Sequence, residues 1–326
     1  GGGAAMKLGL FTALFQDRPL EDVLRVAADL GYESVELPVW RSCPHVDLDA
    51  VLQDGGAALR RLVKQFGLQI SALSNGREGH LILGPHDWTV DKWAPVAGAA
   101  ERIRYGMERL MRTAQAAAAL EVPVVVGFVG SPVWDKWYNY PSTNDQAYED
   151  GWKLFAERVH PVLDAFARFG VRLALEVHPT EIAYNLETAE RALAVLGNRK
   201  EFGFNFDPSH LVWQGIDPVV FIKRLGRYIY HAHAKDGEVQ ADEVRRSGVL
   251  SGGSWTRPDR GFRFRVPGWG DVDWRRVLSA LAAAGYDYVL SFEHEDPVMS
   301  PEDGCEKAIA FLRPLVIKKP LTNAWW

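Results

Sequence analysis

The stretch VRLALEVHPTEIAYNLETAERALAVLGNRKEFGFNFD, residues 171–207, carries the pattern that decides the fold. An apolar run at 171–178 is followed by a segment of helical period and then by a second apolar run at 201–207. Apolar runs that alternate with helical segments are typical of βα units around a parallel sheet. The stretch therefore predicts two parallel strands joined by a helix.

The same alternation continues towards both ends of the chain. A glycine stands between a helical segment and the next apolar run at Gly31, Gly67, Gly170 and Gly285, which is the expected helix stop signal. Eight units in this length predict a single (β/α)₈ TIM barrel over residues 6–326, with its chemistry at the C-terminal ends of the strands. The eight predicted strands are KLGLFT (7–12), SVELPV (34–39), LQISALS (68–74), VPVVVGFV (122–129), VRLALEVH (171–178), EFGFNFD (201–207), RYIYHAH (227–233) and YDYVLSFEH (286–294).

Composition limits the function classes. The 326 residues are 47% hydrophobic and 24% charged, with a formal net charge of −5, which argues against a nucleic-acid partner. No apolar run of about 18 residues and no signal-peptide pattern occurs, so neither a membrane span nor secretion is expected. Two cysteines, Cys43 and Cys305, provide no disulfide framework, which predicts a cytoplasmic protein. The residues GGGAA before Met6 are expected to be a remnant of expression.

Four consecutive predicted strands end in a residue that can bind a metal: Glu176, Asp207, His233 and Glu293. Carboxylates at the ends of apolar strands would meet in a partly desolvated pocket, where their repulsion must be relieved by a proton or a cation. Three carboxylates and one imidazole suit a divalent cation with a preference for oxygen ligands. The pattern therefore predicts a metal site, with Mn²⁺ as the expected ion and Mg²⁺ or Co²⁺ as alternatives.

Two loops after strand ends are long for such a barrel, residues 130–146 and residues 235–270, and their aromatic side chains are expected to wall a sugar pocket. In the second loop, Lys235 and Asp236 are expected to begin a lid. An Arg-rich tract there could clamp a phosphate or carboxylate, or form a solvated lid face. His231 is either a support for His233 or a structural residue. The predicted substrate-binding residues are His178, His210, Lys235, Trp134, Trp137 and Trp269, with Trp255 as a further aromatic candidate and Arg257, Arg260, Arg263 and Arg265 as the Arg-rich tract.

These strand ends, together with DPSH (207–210) and VPGWGDVDW (266–274), give the chain a resemblance to the xylose-isomerase-like TIM-barrel superfamily of sugar phosphate isomerases and epimerases. The superfamily includes ketose 3-epimerases, inosose isomerases and dehydratases, and endonucleases of the endonuclease IV type. The resemblance spans the chain from Met6 and is strongest over 171–295. It implies that Glu176, Asp207, His233 and Glu293 hold the metal, and that His210 lies close to metal and substrate.

Such a site predicts a metal-dependent epimerase or isomerase that removes a proton beside the carbonyl of a keto-sugar and forms a cis-enediolate. Glu176 and Glu293 are the predicted proton carriers on opposite faces. The alternative is a metal-dependent lyase or dehydratase acting on a 3-keto-glycoside or an inosose. A repair endonuclease is disfavoured because FRFRVPG (262–268) lacks the Asp-x-His pair of that branch. A catalytically inactive sugar-binding barrel is disfavoured by the intact quartet, and a homo-oligomer is a further expectation.

Overall fold

A computed structural model describes residues 5–141 and 145–326. Residues 1–4 of the expected expression remnant and residues 142–144 of the predicted long loop 130–146 lie outside the described part of the chain. Within the described residues, no helix has the length and apolar character needed to cross a membrane. Both cysteines are buried and free.

Eight strands form a closed parallel barrel in the order β1-β10-β7-β6-β5-β4-β3-β2, which confirms the predicted (β/α)₈ fold. Each barrel strand is short and largely buried, since it packs apolar side chains on both faces as strands of a parallel barrel do. The barrel strands are β1 Lys7–Phe11, β2 Ser34–Pro38, β3 Gln69–Asn75, β4 Val124–Gly127, β5 Arg172–Glu176, β6 Phe202–Phe206, β7 Ile229–Ala234 and β10 Val289–Phe292.

Helices follow the strands as the sequence predicts, with one break. The connection between β2 and β3 contains two helices, because Gly55 and Gly56 both have positive φ angles and end the first of them. The α-helices in the described residues are α1 Leu20–Leu30, α2 Leu48–Asp54, α3 Ala57–Gln65, α4 Gly76–Gly79, α5 Ala99–Ala119, α6 Asp145–Phe169, α7 Leu186–Val195, α8 Ser209–Val212, α9 Pro218–Leu225, α10 Ala241–Ser247, α11 Trp274–Ala283 and α12 Pro301–Leu312.

The long segment after β7 is more ordered than a loop. Strands β8, Asp236–Val239, and β9, Phe262–Arg265, pair as an antiparallel hairpin, and α10 lies between them. Asp236 anchors this hairpin by accepting hydrogen bonds from the backbone N–H groups of residues 237, 268 and 272 and from the Trp274 indole. The hairpin therefore starts from a fixed point directly after the C-terminal end of β7.

Two compact units are distinguished by their internal contacts. One contains residues 1–36, 66–69 and 206–326, and the other contains residues 37–65 and 70–205. The first has a core that includes Leu8, Leu10, Phe206, Phe221 and Phe292, and the core of the second includes Phe155, Phe166, Leu173, Phe202 and Phe204. Each unit thus buries large apolar side chains of its own, as a stable fold requires.

Gly130, at the start of the loop after β4, provides a test of the fold. Its φ is +79°, and a Cβ there would lie 2.3 Å from the His80 carbonyl oxygen and 2.6 Å from the Gly84 carbonyl oxygen. Gly170 is the matched control, since its φ is +68° and a Cβ would meet nothing within 4 Å.

We expect Gly170→Ala to lower the free energy of unfolding by about 1 kcal/mol through left-handed strain alone. We expect Gly130→Ala to lower it by about 3 kcal/mol, because overpacking adds to the same strain. Urea denaturation followed by circular dichroism measures both values. Equal losses in the two variants would contradict the close backbone contact at Gly130.

Candidate metal centre

A buried hydrogen bond between Glu36 and His233 organises one end of the site. Glu36 lies on β2, and His233 lies on β7 opposite Ser291 of β10. The Nε2 atom of His233 is 2.8 Å and 3.0 Å from the two carboxylate oxygens of Glu36, and the Ser291 hydroxyl donates to the same carboxylate over 2.8 Å. Burial alone would raise the pKa of Glu36, but the neighbouring His233, His231 and Ser291 outweigh it and lower the pKa.

This arrangement directs the second ring nitrogen of His233 towards two further carboxylates. Because Nε2 faces the ionised Glu36, Nε2 carries the proton and Nδ1 presents its lone pair. Nδ1 lies 3.7 Å from Asp207 Oδ2 and 3.6 Å from Glu293 Oε1. The three residues each offer a ligand atom within 4.8 Å of the others, so one ion could contact all three.

Asp207 lies directly after β6, and hydrogen bonds hold only one of its two carboxylate oxygens. Its Oδ1 accepts hydrogen bonds from the Ser209 backbone N–H over 3.0 Å and from the Ser209 hydroxyl over 2.6 Å. The buried Oδ2 accepts no well-directed hydrogen bond from the residues that the structure describes. Its neighbours are Lys235 Nζ at 3.3 Å and His210 Nε2 at 3.6 Å. One oxygen of this carboxylate is thus turned towards cationic and nitrogen groups.

Lys235 brings a buried ammonium into the same cluster. Its side chain is 1% exposed, and Nζ lies 2.5 Å from an oxygen of Glu293 and 2.5 Å from an oxygen of Glu295. The His210 Nε2 atom is 3.4 Å away, and the ammonium lies over the Phe264 ring at 4.5 Å. His210 and Lys235, both predicted to contact substrate, are therefore neighbours of the predicted ligands Asp207 and Glu293.

The electrostatics of this cluster favour ionised carboxylates. Burial would raise the pKa of Asp207, but Lys235 and His233 outweigh burial and lower it to about 2. The same two residues hold the pKa of Glu293 well below its ordinary value against the effect of burial. Burial lowers the pKa of His231 to about 4, so this residue is neutral near pH 7. Ionised carboxylates beside the Nδ1 lone pair of His233 are a donor set that fits a divalent cation.

Glu176 lies in the other compact unit, as the last residue of β5, and is buried. Its register partner on β6 is Asn205, whose amide donates a hydrogen bond to Glu176 Oε1 over 2.8 Å. His178 lies two residues beyond the strand, with its Nδ1 against the Pro179 carbonyl oxygen and its ring 4.8 Å from that of Phe128. The roles predicted for Glu176 and His178 stay predictions.

The predicted tryptophans occupy different surroundings. Trp134 packs edge-on against Tyr184, with 5.0 Å between ring centroids, whereas Trp137 is 49% exposed and lines a cavity in the same unit. Trp269, on the segment after β9, is 40% exposed. Trp255 lies over the Arg260 guanidinium at 3.7 Å. Their contacts with substrate stay predictions.

The side chains of the Arg-rich tract make ion pairs and hydrogen bonds with other residues of the chain. Arg257 pairs with Asp259, Arg263 pairs with Glu238, and Arg265 pairs with both Glu238 and Asp296. Arg260 donates to the Gly253 carbonyl oxygen beneath Trp255. Of the two predicted alternatives, the contacts favour a structural role within the hairpin region over a phosphate clamp.

Sequence reasoning missed several polar residues that make side-chain contacts, two of them with members of the cluster. The sequence does contain a signal for Glu36, because it is the only charged residue in the apolar run SVELPV. The structure shows that this strand is buried throughout. Glu295 follows Glu293 by two residues and shares Lys235 with it. Glu181, fully buried, accepts from the Val129 and Gly130 backbone and contacts His80 at 3.0 Å. Nothing in its local sequence distinguishes Glu181 from a solvated loop residue.

Several curated proteins are similar in sequence. YfiH of Bacillus subtilis is 28% identical over 95% of this chain and 99% of its own length. The rhizopine catabolism protein MocC of Rhizobium meliloti is 36% identical over 45% of this chain and 44% of MocC. An inosose dehydratase of Geobacillus thermodenitrificans is 26% identical over 51% of this chain and 55% of that enzyme. The last two matches thus span about half of each relative.

Solved structures support the fold at low sequence identity. The 3-keto-D-glucoside 4-epimerase YcjR of E. coli superposes with a TM-score of 0.67 at 15% identity over 95% of this chain and 99% of YcjR. The probable 3-DHS dehydratase AsbF of Bacillus anthracis gives a TM-score of 0.65 at 17% identity over 94% and 99%. The IolI protein, whose structure contains a zinc atom, gives 0.62 at 20% identity over 95% and 96%.

A family model described as the xylose isomerase-like TIM barrel matches residues 24–315. This match covers most of the barrel and agrees with the closed eight-stranded parallel sheet. The chain therefore belongs to the xylose isomerase-like TIM-barrel family.

Proposed function

We propose that the protein is a divalent-metal-dependent enzyme of keto-sugar chemistry, acting in the first place as an epimerase or isomerase. The observation that carries the proposal is the buried cluster of Asp207, His233 and Glu293, in which His233 is oriented by Glu36. Epimerases and dehydratases of sugars and cyclitols among the similar proteins support the same class of substrate.

Glu176 is proposed to complete the ligand set. It ends β5 just as Asp207 follows β6, and its register partner Asn205 precedes Asp207 by two residues. Alternate residues of a strand point to the same face, so Asn205 and Asp207 share a face of β6 and its extension. The Asn205 amide donates a hydrogen bond to Glu176 and so fixes the orientation of that carboxylate.

When bound, a divalent cation supplies Lewis-acid polarisation of a substrate carbonyl and of the adjacent hydroxyl. Mn²⁺ is the proposed ion, with Mg²⁺ or Co²⁺ as alternatives, because carboxylate oxygens dominate the donor set. Glu293 is ionised and only partly covered, with 18% of its side chain exposed. It can therefore take the proton beside the carbonyl, leaving a cis-enediolate of the substrate.

The position at which the proton returns decides the product. Return to the same carbon from the opposite face, proposed here for Glu176, inverts that carbon and gives epimerisation. Return to the neighbouring carbon exchanges the positions of the carbonyl and hydroxyl groups and gives isomerisation. His210, beside Lys235 and Asp207, is proposed to contact the substrate hydroxyl groups in either case.

The contact between Lys235 and Glu293 favours a second candidate, a dehydratase acting on an inosose or a 3-keto-glycoside. In that reaction Glu293 takes the proton beside the carbonyl, the bond from the β-carbon to its hydroxyl breaks, and Lys235 donates a proton so that water leaves. The 2.5 Å distance between Glu293 and Lys235 allows the abstracted proton to pass to the lysine. The enzyme then regains its starting protonation, and the substrate has lost one water.

Substituting Glu36 tests the metal centre. Glu36→Gln preserves shape but removes the charge that orients His233, so the affinity for Mn²⁺ should fall by about 10- to 100-fold. Glu33→Gln, at a half-buried position just before β2 where the carboxylate pairs with Arg313, is the control and should leave affinity unchanged. Competition with a fluorescent chelator measures both dissociation constants, alongside thermal melts. Unchanged Mn²⁺ affinity in Glu36→Gln would count against this centre.

Substituting Glu293 tests its role as proton carrier. Metal-loaded protein incubated in D₂O with keto-sugars and 3-keto-glycosides should place deuterium beside the carbonyl, as NMR detects. Glu293→Gln should slow this exchange by about 10²- to 10⁴-fold because the general base is lost. Glu295→Gln, which removes the other carboxylate of Lys235, should slow it far less. A metal-replete Glu293→Gln protein with full exchange would refute the assignment.

Substituting Lys235 separates the two candidate reactions. If the protein is a dehydratase, Lys235→Met should reduce water loss by about 10²-fold or more while deuterium exchange beside the carbonyl persists, since only the leaving group loses its acid. Product analysis by NMR and mass spectrometry distinguishes an epimer from a product lighter by one water. Epimer formation by the unmodified protein, without any dehydrated product, would leave the epimerase as the function.

A further inference from the structure

The Lys235 ammonium lies beside the same two carboxylate oxygens that face Nδ1 of His233. Glu293 Oε1 is 3.6 Å from His233 Nδ1 and 2.5 Å from Lys235 Nζ. Asp207 Oδ2 is 3.7 Å from His233 Nδ1 and 3.3 Å from Lys235 Nζ. The lysine therefore contacts the very oxygens that the proposed metal centre requires.

Burial leaves the Lys235 ammonium few alternative partners. The side chain is 1% exposed, the Phe264 ring centroid lies 4.5 Å from Nζ, and His210 Nε2 lies 3.4 Å from Nζ. Bulk water therefore does not replace a lost ion pair at this position, and a buried charge without a partner is strongly unfavourable. An ammonium that leaves Glu293 must be received by another carboxylate of the same surroundings.

Glu295 is a carboxylate in the right place to receive it. Its Oε1 lies 2.5 Å from Lys235 Nζ, and its side chain is 49% exposed. Among the described residues, the ligand atoms that lie within 4.8 Å of one another include oxygens of Asp207 and Glu293 but none of Glu295. Glu295 can therefore pair with the ammonium without being a metal ligand itself.

Charge repulsion makes such a carboxylate necessary. An ammonium and a divalent cation at shared oxygens repel each other, and the repulsion falls when an anion is placed beside the ammonium on the side away from the shared oxygens. An ammonium has three N–H donors, so Lys235 can keep its hydrogen bond to Glu295 while it gives up the one to Glu293. The pair of contacts at 2.5 Å thus provides two positions for one positive charge.

We propose that Glu295 is a positioning residue of the metal centre, which holds the Lys235 ammonium when the oxygens of Glu293 and Asp207 turn to a divalent cation. Without the cation, the ammonium neutralises Glu293 and Asp207; with it, the ammonium pairs with Glu295 and stays close to the site. The inference rests on the metal centre of the proposed function and adds the regulation of that centre by an internal cation. Glu295 acts through Lys235 alone.

A double-mutant cycle on the full chain tests this role, with the affinity for Mn²⁺ measured by competition with a fluorescent chelator. Lys235→Met should tighten binding by about tenfold, because a neighbouring positive charge is lost. Glu295→Gln should weaken binding by about tenfold, because the ammonium then stays on Glu293. In the Lys235→Met background, Glu295→Gln should change the affinity by less than about threefold, because no ammonium remains to be held.

Glu302→Gln is the matched control, since Glu302 is 56% exposed and pairs with Arg18 over 2.5 Å; it should leave the affinity unchanged. Thermal melts check each variant, and Lys235→Gln replaces Lys235→Met if the latter fails to fold. Equal weakening by Glu295→Gln with and without Lys235 would show that Glu295 acts on the ion directly, and would overturn the inference while the metal centre stands. Unchanged affinity in Glu295→Gln would do the same. An unmodified protein that binds no Mn²⁺ would instead overturn the metal centre, and this inference with it.

Discussion

The hydrogen bond between Glu36 and His233 is the constraint on which the proposed metal centre depends. It joins side chains of β2 and β7, and Ser291 of β10 completes it. A buried carboxylate without these partners would carry an uncompensated charge in an apolar barrel, which is strongly unfavourable. The pairing also selects which imidazole nitrogen faces Asp207 and Glu293. Charge compensation inside the barrel and ligand geometry at its end are therefore consequences of one contact.

Lys235 adds a second source of positive charge to the same carboxylates. Its ammonium contacts Glu293 and lies 3.3 Å from Asp207, so it competes with any divalent cation for those oxygens. Two cations beside shared carboxylates repel each other, although the anions between them reduce the effect. A centre of this kind should bind metal less tightly than an all-anionic set, while keeping its carboxylates ionised to low pH.

Much of the fold and part of the site could be predicted from sequence, because both depend on local patterns. Apolar runs and glycine stops locate the eight strands, and Asp207, His233 and Glu293 stand at strand ends where the barrel must bring them to one edge. Glu36 and Glu181 were missed, since their roles arise from contacts with residues far along the chain. The β8–β9 hairpin was missed for a related reason. Its strands are separated by more than twenty residues, and pairing between Asp236 and Arg265 has no local signature.

Asp236 has a consequence for how proteins of this architecture can diverge. Its four hydrogen bonds join the start of β8 to residues 268, 272 and 274, which follow β9. Because Asp236 stands next to Lys235, insertions or deletions within residues 240–261 would leave the ammonium in place. The segment can therefore be lengthened, shortened or replaced in related proteins without moving the charged side chains next to Asp236.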